Sequence, residues 1–212
     1  MMLQSMVEAI VVQATLAIQA GRDLQGIIAQ STLHLKERMF RLLRELLDRP
    51  LINRIRRNHG LEHATIHVLS SRYPRRSIAG RADAQGFFIL GNLSTEAIAQ
   101  AAQEALQRMQ VGEQHLAIHP NCGTNLLTAG LLAALGSYFA LSGGNTQRWR
   151  DRLERLPLAV MTAVAALLVA QPLGTAAQRH LTTRSDMDRM QILDVKRMHR
   201  GRTAIHRIFT RD

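Results

Sequence analysis

The sequence predicts an α+β protein that is mainly helical, with a small β-β-α-β block and a two-helix transmembrane hairpin. Three observations carry that expectation. Two uncharged apolar runs, residues 126–141 and 158–177, are long enough with their flanks to cross a hydrocarbon core. Upstream, apolar residues recur at helical spacing. Between residues 72 and 120 the period changes, and two short strand patterns precede an amphipathic helix that a third follows.

Bulk composition narrows the function classes. The chain has 212 residues and a net charge of +11, carried by Arg except for Lys36 and Lys196. A lone Cys122 cannot form an internal bridge, which argues against a disulfide-stapled secreted scaffold. Basic charge suits nucleic acid or anionic lipid head groups. Aromatic content is only 4%, so stacking platforms are scarce, and no nucleic-acid-binding signature is present. Lipid is the expected partner, with a protein partner or homo-oligomer open and no nucleic acid expected. The apolar opening lacks a basic segment and contains Glu8 and Gln13, a poor signal peptide.

In chain order, residues 1–50 read as N-terminal amphipathic helices. The first covers 6–20. The second, 33–47, follows Ser31 as N-cap and sets Leu35, Met39, Leu42, Leu43 and Leu46 against Arg38, Arg41 and Arg44. It fits a membrane interface or a solvated bundle equally. Residues 51–123 form the next unit. Pro50 opens a helix reaching Ser70, with Leu51, Ile55, Ile66 and Leu69 on its buried face. Strands at 77–81 and 87–90 meet across Asp83-Ala84-Gln85-Gly86. Ser94 caps a helix from Thr95 to Gln110, and residues 116–118 are expected as a third strand.

Residues 124–178 are the transmembrane hairpin, rich in the small residues that let membrane helices approach. Arg108, Arg179, Arg184, Arg189, Lys196 and Arg197 flank it, against Arg148, Arg150, Arg152 and Arg155 in its loop. Positive-inside counting places both termini in the cytoplasm, for an integral protein of the cell membrane. Residues 179–212 are a basic tail. Its 190–195 segment reads as a strand or short helix, and 197–211 as a surface arm for anionic lipid or a disordered end.

The chemistry concentrates in two clusters. His59-Gly60-Leu61-Glu62-His63 is the inverted zincin order. On a helix, residues four apart share one face, so both imidazoles reach one metal ion. Glu62 lies between them, placed to take a proton from a metal-activated water. Gly60 lets another backbone or a substrate come close. His67 lies two turns from His59, too far to share one tetrahedral ion, and reads as a supporting histidine. The second cluster, His119-Pro120-Asn121-Cys122-Gly123-Thr124-Asn125, offers an imidazole and a thiol in a turn stiffened by proline.

Taken together, His59-Gly60-x-Glu62-His63 and His119-Pro120-x-Cys122-Gly123-Thr124 before an apolar helix resemble the bacterial YqhQ-like membrane proteins. These are described as predicted metal-dependent enzymes, a domain of unknown function. The resemblance covers about residues 57–141 and implies that His59, Glu62, His63, His119 and Cys122 form the site. Asn121, within the second cluster, is expected as a supporting residue. A weaker similarity links the first motif to insulinase-type inverzincins. Those peptidases supply a third glutamate ligand some 75 residues later, where this chain is apolar, so peptidase activity is not implied. The third ligand comes from His119, Cys122 or Glu113.

The expected function is a membrane-anchored, metal-dependent hydrolase. His59, His63 and His119 hold zinc, Cys122 completes a closed site if the role is structural, and Glu62 is the catalytic base. A His/Glu set would also suit iron or manganese. Two alternatives stand beside it. One is a non-enzymatic membrane scaffold or assembly factor with a structural His/Cys clasp. The other is a thiol enzyme with Cys122 as nucleophile.

Overall fold

The structure is a computed structural model, and it describes residue 30 and residues 32–142, 149–187, 189–199 and 204–211. The helix expected at 6–20 and the loop position Arg148 lie outside these residues. The chain forms two units, Met1–Arg49 and Pro50–Asp212. In the first, residues 32–47 are helical (α1), with Leu35, Met39, Leu42 and Leu46 on its exposed surface.

The second unit is organised around α2 (Pro50–Arg72). Against it lies a four-stranded antiparallel sheet of β1 (Ala79–Asp83), β2 (Gly86–Leu90), β3 (Gln191–His199) and β4 (Ile205–Arg211), in the order β1-β2-β4-β3. Helix α3 (Thr95–Gln110) packs beside α2, and the Ser94 hydroxyl accepts the Ala97 N–H at 3.1 Å as its N-cap. Phe87 pairs with Ile208 across β2 and β4. Both are fully buried with Leu61, Leu69, Ile89 and Ile98, in a core closed by Met187 and Met190.

The α+β class holds, but the sheet is built differently from the expected β-β-α-β block. Residues Gln114–Ala117 form a 3₁₀ helix rather than the first part of a third strand. Their polar groups bond locally, Leu116 N–H to the Glu113 carbonyl and Ile118 N–H to the His115 carbonyl, so the segment offers no ladder. The tail supplies the missing strands. Far from being a surface arm, β4 sits inside the sheet, and buried Arg207 bonds Asp83 at 2.6 Å and stacks on Phe88 at 4.2 Å. Polar His206 and Thr210 alternate with Ile208 on its inner face, which hides the two-residue hydrophobic period.

Among the described residues, two helices are long and apolar enough to cross a membrane: α4 (Gly123–Ser142) and the segment Leu156–Thr182. The latter comprises α6 (Leu156–Ala177) and one π-helical turn, Gln178–Thr182. A short α5 (Trp149–Glu154) precedes it. Small residues set the α4–α6 approach. Gly136 faces Thr162, and a side chain at Gly174 would strike Asn125. The outer surface is apolar and exposed, with Leu127, Phe139 and Leu168 on it.

Candidate metal centre

Three segments meet at the centre: the middle of α2, the turn leading into α4, and the chain following α6. Gly60 makes the meeting possible. A Cβ there would collide with the Arg184 carbonyl, and the Arg184 N–H in turn bonds the Arg56 carbonyl at 3.0 Å. Arginines of α2 fasten the same segment. Arg57 grips Asp186 at 3.1 and 3.0 Å, and Arg56 donates to the carbonyls of His180 and Thr183. Buried Asn58 ties α2 to the sheet, donating to the Asp83 carbonyl at 2.8 Å and accepting from the Thr210 hydroxyl at 2.6 Å.

Backbone carbonyls orient the two histidines of the helical motif. His59 Nδ1 lies 2.9 Å from the Thr182 carbonyl, and His63 Nδ1 lies 2.7 Å from the Ala117 carbonyl. A carbonyl only accepts, so each Nδ1 carries a hydrogen, and in the neutral ring each Nε2 keeps its lone pair. This outer-shell arrangement is typical of metal-binding imidazoles. His59 Nε2 sits 3.5 Å from Cys122 Sγ, which also accepts the Thr124 N–H at 3.4 Å. One ligand atom each from His59, His63 and Cys122 lies within 4.8 Å of the others, a group that could hold a metal ion. The zinc bond lengths of about 2.3 Å to sulfur and about 2.0 Å to nitrogen give a tetrahedral S···N edge of about 3.5 Å. The observed Cys122–His59 separation matches that edge.

The remaining expected residues surround this group. Glu62 is buried, and its Oε2 has no hydrogen-bond partner. Burial pushes its pKa up to about 7, against the pull of His59 and His63. Burial also raises the Cys122 thiol, but the hydrogen bonds of His59 and His63 outweigh it and bring the pKa to about 5. His59 is desolvated, yet its contact with Cys122 and the charge of Glu62 leave its pKa raised. His119 stands beside the three-atom group, its ring 5.8 Å from His63 and 4.8 Å from His67. Its Nδ1 accepts the Asn121 N–H at 3.2 Å, which assigns the proton of the neutral ring to Nε2. Burial, His67 and His63 lower its pKa to about 4. His67 Nε2 bonds the Ile118 carbonyl at 2.8 Å, holding the same turn. Glu113 is engaged by Arg108.

Sequence reasoning missed several participants. Fully buried Gln178 accepts the His119 N–H at 3.0 Å and donates to Asn125 at 2.7 Å, joining the turn to the end of α6. Gly80 gives the Glu62 side chain its space. A polar residue ending an apolar run was the one available signal for Gln178. The carbonyls of Ala117 and Thr182 had none, because any residue supplies one. The group borders a cavity of about 690 Å³, also lined by Glu62, His119, Arg76 and Arg81.

Residues 54–195 match the family described as a domain of unknown function, DUF6391. The chain belongs to the DUF6391 family. An uncharacterized protein of Picosynechococcus sp. is 37% identical over 153 residues, which cover 66% of this chain and 68% of the relative. No solved structure matches the chain. The DUF6391 span contains His59, Glu62, His63, His119, Cys122 and both apolar helices, and it ends within β3. The likeness to YqhQ-like proteins stays one of motifs.

Proposed function

We propose that this DUF6391 protein is a membrane-anchored, zinc-dependent hydrolase, with His59, His63 and Cys122 as ligands and Glu62 as the general base. The observation that carries the reading is the pairing of a carbonyl-oriented His/His/Cys group with a buried, unpartnered carboxylate at the wall of an open cavity. Imidazole and thiolate donors favour zinc or iron over manganese, which prefers oxygen. Three protein ligands leave a coordination position open, as in catalytic rather than structural zinc sites.

Bound zinc supplies Lewis acidity that makes a water molecule ionisable near neutral pH. The chain's own residues do the rest. Glu62, with its pKa raised to about 7, accepts the water proton and returns it to the leaving group. His119 presents an N–H donor on the cavity wall for developing oxygen charge. Backbone carbonyls at Ala117 and Thr182 keep the imidazoles from turning. The two apolar helices anchor the centre at the bilayer surface, with both termini cytoplasmic.

Elemental analysis of the detergent-purified protein tests this reading. About one equivalent of zinc is expected, absent from His63→Ala and retained in Glu62→Gln. A protein that holds no metal and fails to take up added zinc sinks it. A second reading rests on the 3.5 Å contact between Cys122 and His59, which also describes a thiolate–imidazole pair. Selective alkylation of Cys122 that added zinc does not slow would favour it.

A further inference from the structure

Two cavities meet at the same residues. The larger, about 690 Å³, is the polar one beside the His/His/Cys group, with Arg76 and Arg81 on its wall. The smaller, about 410 Å³, runs between α4 and α6 and is lined by Leu126, Ala129, Leu167 and Ala170. Pro120 also lines it, and Asn121 and Cys122 line both cavities. The groove in the helix pair and the polar cavity thus share Asn121 and Cys122 as a common wall at the head of α4, with Arg76 and Arg81 on the polar side.

The two halves differ sharply in chemistry. Leu126, Ala129, Leu167 and Ala170 form the apolar side of the groove, with Asn125 and Gln171 as polar members besides Asn121. Arg76 is exposed and makes no side-chain hydrogen bond or ion pair among the described residues, while Arg81 is exposed and bears electrostatically on Asp83. A cation at a cavity wall without a matched carboxylate favours an anionic ligand. An apolar slot lined by small side chains favours an unbranched hydrocarbon.

We propose that the ligand is an anionic acyl lipid of the bilayer. Its chain lies in the α4–α6 groove, its head group faces Arg76 and Arg81, and the bonds between them lie beside Cys122. The proposal rests on the membrane-anchored reading of this site and gives that site its substrate class. Entry is lateral: the groove lies in the apolar helix pair, so a bilayer lipid slides its chain between α4 and α6 without leaving the membrane.

The test uses the full chain in phosphatidylcholine nanodiscs. A phosphatidylglycerol with a diazirine on its acyl chain is added, or the matching phosphatidylcholine probe, and adducts are mapped by mass spectrometry after illumination. Adducts from the phosphatidylglycerol probe are expected to concentrate on Leu126, Ala129, Leu167 and Ala170 and to fall severalfold in Ala129→Trp. The exposed pair Arg76→Ala/Arg81→Ala, which carries no folding risk from the groove, abolishes the head-group preference and leaves groove labelling in place. His63→Ala keeps both patterns, so loss of the metal reading alone leaves this assignment standing. Adducts spread evenly over outward residues such as Leu127 and Leu168, equal use of both probes, or no adducts overturn it.

Discussion

The Cα of Gly80 on β1 faces the Glu62 carboxylate on α2 so closely that a Cβ at position 80 would overlap the glutamate side chain. A strand residue without a side chain therefore gives a buried helical carboxylate its place. Gly80→Ala is expected to cost roughly 1–3 kcal/mol, the usual range for an overpacked interior. In a Glu62→Ala background the same substitution becomes nearly neutral, because the overlapping atoms are gone. Urea unfolding of the four proteins of this cycle measures the coupling. Equal costs in both backgrounds would show that the glycine serves the strand rather than the carboxylate.

Gly60 has the opposite signature from an ordinary helical glycine. In an exposed helix interior, replacing Gly by Ala gains about 1 kcal/mol. Here the methyl group meets the Arg184 carbonyl, and backbone cannot swing aside. Gly60→Ala is expected to destabilise by roughly 1–3 kcal/mol net. Hydrogen exchange of the Arg184 amide, now bonded to the Arg56 carbonyl, accelerates as the strap lifts. A more stable variant would show that the strap yields.

Replacing the thiol tests the donor set. Cys122→Ser keeps the carbonyl-oriented imidazoles and exchanges a thiolate for a hydroxyl that stays protonated. Zinc affinity is expected to fall by more than the roughly 10–100-fold that loss of an outer-shell partner costs. Competition against a chromogenic chelator reads the constant. Unchanged affinity would remove Cys122 from the ligand set.

The Arg57–Asp186–Arg184 cluster gives the fold an acid-sensitive joint. Burial alone would raise the Asp186 carboxyl, but hydrogen bonds from Arg57 and Arg184 hold it below the ordinary carboxylate range. A depressed folded-state pKa contributes stability that is present above the unfolded value of about 4 and is lost as pH falls through the folded value. Asp186→Asn is expected to be less stable at neutral pH and to lose less on acidification than the parent. Denaturation midpoints from neutral pH down through the carboxylate range check this, and parallel curves for the two proteins would exclude the joint.

How much was legible in advance follows from the range of each interaction. The pentad on α2 was readable because helical spacing alone puts His59, Glu62 and His63 on one face. The capped α3 and the two long apolar helices were equally local, set by Ser94, by periodicity and by uninterrupted hydropathy. Strand β4 was not readable, since His206, Arg207 and Thr210 break its pattern and become tolerable only when Asp83, Phe88 and Asn58 surround them. The 3₁₀ turn at Gln114–Ala117 was likewise hidden, because its bonds to the Glu113 and His115 carbonyls leave no mark on the apolar pattern of residues 116–118. The sequence by itself thus determined which residues were candidates to hold a metal and which helices carry the apolar surface. Only the tertiary structure decided that Cys122 joins His59 and His63 while His119 stands beside them, because the groups that hold these residues, the Thr182 carbonyl for His59, the Ala117 carbonyl for His63 and Gln178 for His119, lie far away in sequence.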